Sequence, residues 1–146
     1  MLEYKKYRMA IKMIAPHLPV IEEDAASVYY DCKSKAIVIG KYFDPNDYGF
    51  MRHLDQKHGF KEGIQIPYAV WHFLHEVGHF EVEEKYGDNL ETREWFKENG
   101  RFMIRNISYQ NMFWDTRVEW EATEWAIRWV KDHPKKVKAL SLLLRE

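Results

Sequence analysis

The chain has 146 residues, with 22 basic and 23 acidic side chains, a formal net charge of −1 and a single cysteine. This length predicts one domain, covering residues 1–146, that buries roughly 70% of the surface of the unfolded chain. The balanced charge argues against a protein whose affinity comes mainly from nucleic-acid phosphates or an anionic membrane. The lone Cys32 excludes an intrachain disulfide framework and a zinc cluster built on cysteines.

No apolar stretch approaches the ~18 residues that are needed to span a bilayer. The N-terminal residues 1–6 are amphipathic and charged, and no apolar signal region follows them. We therefore expect a cytoplasmic protein with neither a membrane nor a nucleic-acid partner. The oligomeric state stays open.

Residues 26–30 and 36–40 are short β-prone runs on either side of a polar turn, and together they predict a β-hairpin. Helical periodicity, interrupted at glycines and prolines, predicts the remaining elements: residues 2–14, 46–57, 68–85, 90–105, 115–130 and 134 onward. A hairpin among helices favours the α+β class, with a small sheet packed on the helices.

The 68–85 helix contains the pattern HExxH at residues 75–79. Residues four apart lie about 40° from each other around a helix, so His75 and His79 lie on one face and can bind the same metal ion. Glu76 lies near the same edge, where it can reach a water on the metal without itself binding the metal. Zinc lowers the pKa of such a water toward ~7, and Glu76 takes its proton as the water attacks a carbonyl. Apolar residues fill the opposite face, which predicts a buried helix beside a functional cleft.

Two histidines leave a catalytic zinc site one protein ligand short. Glu81, Glu83 and Glu84 follow too closely on the same helix to fold back onto the ion. In the 115–130 helix, Glu119 lies about 65° from the centre of the apolar stripe, and Glu121 lies about 95° away on the other flank. Glu119 is the favoured third ligand, because the small Ala122 one turn later permits close helix approach, and Glu121 is the alternative.

At two motifs the sequence resembles the ImmA/IrrE-type zincin-like metallopeptidases: His75-Glu76-Val77-Gly78-His79 and Glu119-x-x-Ala122-x-x-Trp125-Ala126. The resemblance covers about residues 36–130. It implies a zincin-like fold of the gluzincin type and places the third zinc ligand on Glu119. Thr123 stands where the family usually has Asn, and Trp125 where it usually has Phe.

The resemblance also implies a substrate and a place for it. Members of that family cleave proteins in the cytoplasm, often regulators of phages or mobile elements. In zincins an edge strand beside the active-site helix pairs with the extended substrate, and residues 36–39 are the candidate for that strand.

Four further residues are candidates for supporting roles around the metal. His72 lies one turn before Glu76 and is a candidate for contacting the substrate or a ligand. A group that stabilises the tetrahedral oxyanion is expected in such a site, and Tyr109, Arg117 and His133 have suitable side chains.

Three hypotheses follow from the sequence. The favoured one is a zinc endopeptidase acting on a protein or peptide. The second is a catalytically inactive zincin-fold protein that acts by binding a partner, as an anti-repressor or structural factor. The third is an interaction domain in which HExxH occurs by chance.

Overall fold

The computed structural model describes residues 2–45, 57–60, 65–86, 90–102, 112 and 116–145. Within these residues the chain forms five α-helices and one three-stranded sheet, which is a mixed α+β architecture as expected. The strands are β1 (Val20–Glu23), β2 (Val28–Asp31) and β3 (Ala36–Gly40). The helices are α1 (Leu2–Ile14), α2 (Tyr68–Tyr86), α3 (Leu90–Asn99), α4 (Arg117–Asp132) and α5 (Pro134–Leu144).

The helix predictions are confirmed apart from their ends. A 3-10 turn, Gly100–Phe102, follows α3 at the glycine that interrupts the helical pattern. Pro134 occupies the first turn of α5, where its missing N–H costs no helical hydrogen bond. The helix predicted near 46–57 lies almost entirely outside the described residues. Among the described helices, none combines the length and the apolar character required to cross a membrane.

The sheet corrects one prediction and adds a strand. The predicted hairpin is present as β2 and β3, which are antiparallel. However, β3 is not an edge strand, because β1 pairs with its other side in parallel and the strand order is β1-β3-β2. The apolar run of residues 36–39 is buried along its whole length, as expected for a central strand. Strand β1, a short segment with two charged residues, was not predicted from the sequence.

The edge strand beside the HExxH helix is therefore β2. It packs on α2, and the backbone N–H of Tyr30 and the carbonyl of Val28 both bond to side chains of that helix. The prediction that residues 36–39 form the substrate-pairing edge strand is therefore wrong. An all-apolar strand is stable where both of its faces are buried and both of its edges are paired, which is the central position of the sheet.

Helix α2 lies at the centre of the fold and is buried on nearly every side. Trp71 is completely buried and meets Phe60 edge-on with the ring centroids 5.6 Å apart. The prediction of one apolar face was too simple, because α1, α4, α5 and the sheet all surround this helix.

The core joins the N-terminal helix to the C-terminal one across α2. Its largest fully buried side chains come from helices and strands alike: Trp71, Phe73, Ile11, Leu18, Ile37, Ile39, Leu74, Leu140, Val28, Val38 and Val70. Burial of a side chain of this size contributes about 1.5–3 kcal/mol. This packing fixes α2 as the rigid element on which the HExxH residues lie.

Candidate metal centre

The HExxH histidines of α2 meet a carboxylate of α4. Nε2 of His75 lies 2.7 Å from Oε2 of Glu119, and Nε2 of His79 lies 3.1 Å from the same oxygen. Glu76 is adjacent, since one possible ligand atom from each of His75, Glu76 and His79 lies within 4.8 Å of the others. Two imidazole nitrogens and one carboxylate oxygen therefore converge on one point.

The close approach of α2 and α4 depends on two small residues where the helices cross. A Cβ atom on Gly78 would lie 2.6 Å from the carbonyl oxygen of Ala122 and 3.2 Å from its Cα, so nothing larger than glycine fits. Ala122 itself is completely buried. Gly78 precedes His79, and Ala122 lies one turn after Glu119, so this crossing brings the histidines within reach of the carboxylate.

Thr123 determines which nitrogen of His75 faces Glu119. Its hydroxyl donates to the backbone carbonyl of Glu119 at 3.1 Å, and its oxygen lies 3.1 Å from Nδ1 of His75. Because the single hydroxyl proton is used on the carbonyl, the Thr123 oxygen accepts the Nδ1–H of His75. The lone pair of a neutral His75 then lies on Nε2 and points at a carboxylate oxygen only 2.7 Å away. A cation between these two acceptors, either a proton or a metal ion, removes the repulsion.

The charges of the cluster favour a cation as well. Burial opposes protonation of His79, but the Glu119 carboxylate, helped by Glu76 and Glu83, outweighs burial and raises the pKa of His79 to about 9. Burial also opposes ionisation of Glu119, but the two histidines outweigh it and hold the pKa of that carboxyl well below its usual range. The cluster thus keeps an ionised carboxylate in a buried place and gathers positive charge around it.

The donor set fits zinc. Tetrahedral zinc with bonds of about 2.0–2.1 Å holds its ligand atoms about 3.3 Å apart, so Glu119 and the histidines need to separate by only a few tenths of an ångström. Nitrogen and carboxylate oxygen are donors that zinc accepts, and two histidines with one carboxylate form a common catalytic set. His75, His79 and Glu119 can therefore hold the ion, with a position left for water.

Two contacts tie the outer edge of β2 to this site. Oε1 of Glu76 accepts a hydrogen bond from the backbone N–H of Tyr30 at 3.2 Å. Nε2 of His72 donates to the backbone carbonyl of Val28 at 2.9 Å, and its Nδ1 accepts from the hydroxyl of Tyr68 at 3.1 Å. The structure therefore places His72 beneath the strand as a link between sheet and helix.

The other sequence candidates lie elsewhere. Glu121 is part-exposed and, two residues from Glu119, projects about 200° around α4 from it. Arg117, equally two residues away, is exposed at the start of α4. His133 lies about four helical turns beyond Glu119, and its Nδ1 donates to the carbonyl of Trp129. Tyr109 falls outside the described residues.

The cluster is more enclosed than the expected open cleft. His75 is 3% exposed, His79 7%, Glu119 6% and Glu76 9%. Such burial strengthens every electrostatic interaction among them, because little water screens the charges.

The contacts of Thr123 in this site were not predicted from the sequence. Its signal was present, because Thr123 follows Glu119 by four residues and so lies on the same face of α4. The contact of Tyr30 has no comparable signal, since it uses a backbone N–H that every non-proline residue possesses.

Comparison with protein-family models, with curated proteins and with solved structures finds no match for this chain.

Proposed function

We propose that this protein is a zinc-dependent endopeptidase with a zincin-like site of the gluzincin type. The observation that carries the proposal is the convergence of His75 and His79 on Oε2 of Glu119, with Glu76 beside them. A buried site with this donor set and an adjacent carboxylate suits hydrolysis of a peptide bond by an activated water.

Each residue has a distinct role in this proposal. His75, His79 and Glu119 hold the ion, and Thr123 keeps the lone pair of His75 directed toward it. A zinc ion there would supply a Lewis acid that lowers the pKa of a water molecule toward about 7 and polarises the scissile carbonyl.

Glu76 is the general base and then the proton donor to the leaving amine. The Tyr30 N–H holds Oε1 of Glu76, which leaves Oε2 to take the proton from the attacking water. A positioned general base contributes about 10²–10⁴-fold to the rate. Because the carboxylate is 9% exposed, little bulk water competes for that proton.

The outer edge of β2 suits an extended polypeptide substrate. The Tyr30 N–H and the Val28 carbonyl point away from β3, toward α2, and so mark the outer edge of the sheet. An extended substrate would lie along this edge while the Tyr30 N–H stays on Oε1 of Glu76, so the general base keeps its anchor next to the scissile bond.

Zinc content and peptide cleavage test the proposal. We expect one zinc per chain by elemental analysis after purification without chelator, and loss of zinc in His75→Ala and Glu119→Gln. Zinc retained at the wild-type level in both variants would contradict the metal site. Circular dichroism of each variant checks that it is folded.

The role of Glu76 is tested separately with a fluorescence-quenched peptide library. Glu76→Gln should lower cleavage at least 100-fold while leaving zinc content unchanged. The matched control is Glu81→Gln on the same helix, whose carboxylate lies 3.9 Å from the exposed His17. Equal cleavage by wild type and Glu76→Gln would overturn the peptidase assignment.

The enclosure of the cluster favours one second candidate, a metal-binding protein of zincin-like fold that acts by binding a partner without catalysis. Under this candidate zinc still binds and stabilises the fold, by about 2.7 kcal/mol at a concentration of 100 Kd. The peptide library would then remain uncleaved by the zinc-loaded wild type, and Glu76→Gln would leave partner binding unchanged.

A further inference from the structure

The two metal-binding histidines differ in how their second ring nitrogen is satisfied. A histidine that binds zinc through Nε2 carries its proton on Nδ1 and nearly always donates it to a carboxylate, a carbonyl or water. His75 meets this requirement, because its Nδ1 lies 3.1 Å from the Thr123 oxygen. His79 does not, because its Nδ1 is buried and has no hydrogen-bond partner.

A second buried polar atom without a hydrogen-bond partner lies one helical turn away. Glu83 follows His79 by four residues on α2, which places both side chains on one face with their Cβ atoms about 5–6 Å apart. Oε2 of Glu83 is buried and accepts no hydrogen bond, although the side chain as a whole is 14% exposed. Nδ1 of His79, a donor without an acceptor, and Oε2 of Glu83, an acceptor without a donor, thus belong to side chains one turn apart on the same face of α2.

The other oxygen of Glu83 lies near a lysine of the hairpin. Its Oε1 lies 3.8 Å from Nζ of Lys35, which belongs to the turn between β2 and β3. Lys35 adopts a left-handed backbone conformation, with φ of 51°, at the end of that turn. Oε1 therefore faces the hairpin, whereas Oε2 is buried.

From these contacts we propose that Glu83 is the positioning residue for His79: its carboxylate accepts the Nδ1–H of His79 when zinc is bound. This rests on the proposed zinc site. It requires Nδ1 of His79 and Oε2 of Glu83, each without a partner in this structure, to come within hydrogen-bond distance when the ion lies between Nε2 and Glu119. Thr123 on α4 then accepts the Nδ1–H of His75, and Glu83 on α2 accepts the Nδ1–H of His79.

The test measures zinc affinity of the full chain by competition with a chromophoric chelator. Glu83→Ala should weaken zinc binding by about 10–100-fold, the range found when such a partner of a ligand is removed. Glu83→Gln should weaken it by a smaller factor, because its amide oxygen can still accept the N–H but carries no charge. Glu81→Gln, the matched control on the same helix, should bind zinc as tightly as wild type.

A spectroscopic readout separates positioning from a general loss of stability. In the zinc-loaded wild type, ¹⁵N-resolved imidazole spectra should show slowly exchanging Nδ1–H protons for both His75 and His79. In Glu83→Ala only the His79 signal should disappear, and in Glu83→Gln it should persist.

The outcomes separate a failure of the Glu83 assignment from a failure of the proposed zinc site. If wild type binds no zinc, the metal site itself is wrong and the role of Glu83 falls with it. If wild type binds zinc and Glu83→Ala binds it equally well with the His79 Nδ1–H still protected, the zinc site stands and the assignment of Glu83 is overturned.

Discussion

A single hydroxyl group determines which ring nitrogen of a neutral His75 carries the proton. Thr123 donates to the carbonyl of Glu119 and accepts from Nδ1 of His75, so it ties this histidine to the backbone of the helix that carries Glu119. Thr123 is 1% exposed, which leaves no water to replace either hydrogen bond. The contacts of Thr123 show how one hydroxyl connects the two helices of the cluster.

Removing this hydroxyl should weaken zinc binding. Thr123→Val keeps the shape of the side chain but leaves the Nδ1–H of His75 without an acceptor, which costs about 1–3 kcal/mol. We expect zinc affinity to fall about 10-fold, measured by chelator competition. Thr123→Ser retains the hydroxyl and should remain within about threefold of wild type. Equal weakening in both variants would point to packing rather than to the hydrogen bond.

At the scale of elements, the crossing of α2 and α4 determines the site. Only Gly78 allows the backbone of α4 so close that Glu119 reaches both histidines. The spacing of the HExxH motif leaves that position unspecified, so glycine here reflects the partner helix rather than the motif.

Gly78→Ala should push the two helices apart. The added Cβ would meet the Ala122 carbonyl at 2.6 Å, and overpacking of this kind costs about 1–3 kcal/mol. Zinc affinity should fall along with the free energy of unfolding measured in urea, because Glu119 moves away from the histidines.

The control for Gly78→Ala is a substitution at Gly59, a glycine outside the proposed metal site. At Gly59 the φ of 67° strains any alanine, yet among the described residues no atom beyond its chain neighbours lies within 4 Å of its Cβ position. Gly59→Ala should therefore lower stability and leave zinc affinity unchanged. If both variants lose affinity in proportion to stability, the crossing has no special role in the metal site.

The contact between β2 and α2 can be tested through the backbone. Tyr30→Pro and Tyr30→Ala both remove the side chain, but only proline removes the N–H that holds Glu76. That N–H points to the outer edge of the sheet, so its loss breaks no hydrogen bond to β3. We expect Tyr30→Pro to cleave quenched peptides about 10-fold more slowly than Tyr30→Ala at equal zinc content. Identical rates would show that Glu76 needs no anchor.

At the scale of the whole molecule, Tyr7 joins distant segments of the core. Its ring meets Phe43 and Phe73 edge-on, each with centroids 5.5 Å apart, and so links α1, the segment after β3 and α2. Burial, followed by the charges of Glu3 and Asp44, raises the pKa of Tyr7 to about 12. The neutral phenol is therefore favoured by the folded state.

This shift predicts a loss of stability at alkaline pH. Because the folded-state pKa is above the ordinary value of 10.0, the contribution of Tyr7 is complete below pH 10 and is lost as the pH rises to about 12. Urea unfolding between pH 9 and 12 should show a shallower decline for Tyr7→Phe than for wild type. Tyr42→Phe, at a side chain that is 71% exposed, should decline like wild type.

Local features of this chain follow from its sequence because helix and strand periods are properties of the backbone. The periodicity of residues 68–85 predicts α2, and the four-residue spacing places His75 and His79 on one face. The hairpin of β2 and β3 is likewise present where two β-prone runs flank a polar turn. Each of these features involves residues close together in the chain.

Tertiary structure decided the features that join distant segments. Glu119 lies 44 residues from His75, and Tyr30 lies 46 residues from Glu76, so packing of separate elements determines both contacts. The edge strand is β2 because β1 pairs with the other side of β3. The charged residues of β1 make this strand hard to recognise from the sequence. The HExxH residues thus acquire the neighbouring carboxylate of Glu119, their enclosed character and the Tyr30 contact of Glu76 from long-range packing, which local periodicity does not specify.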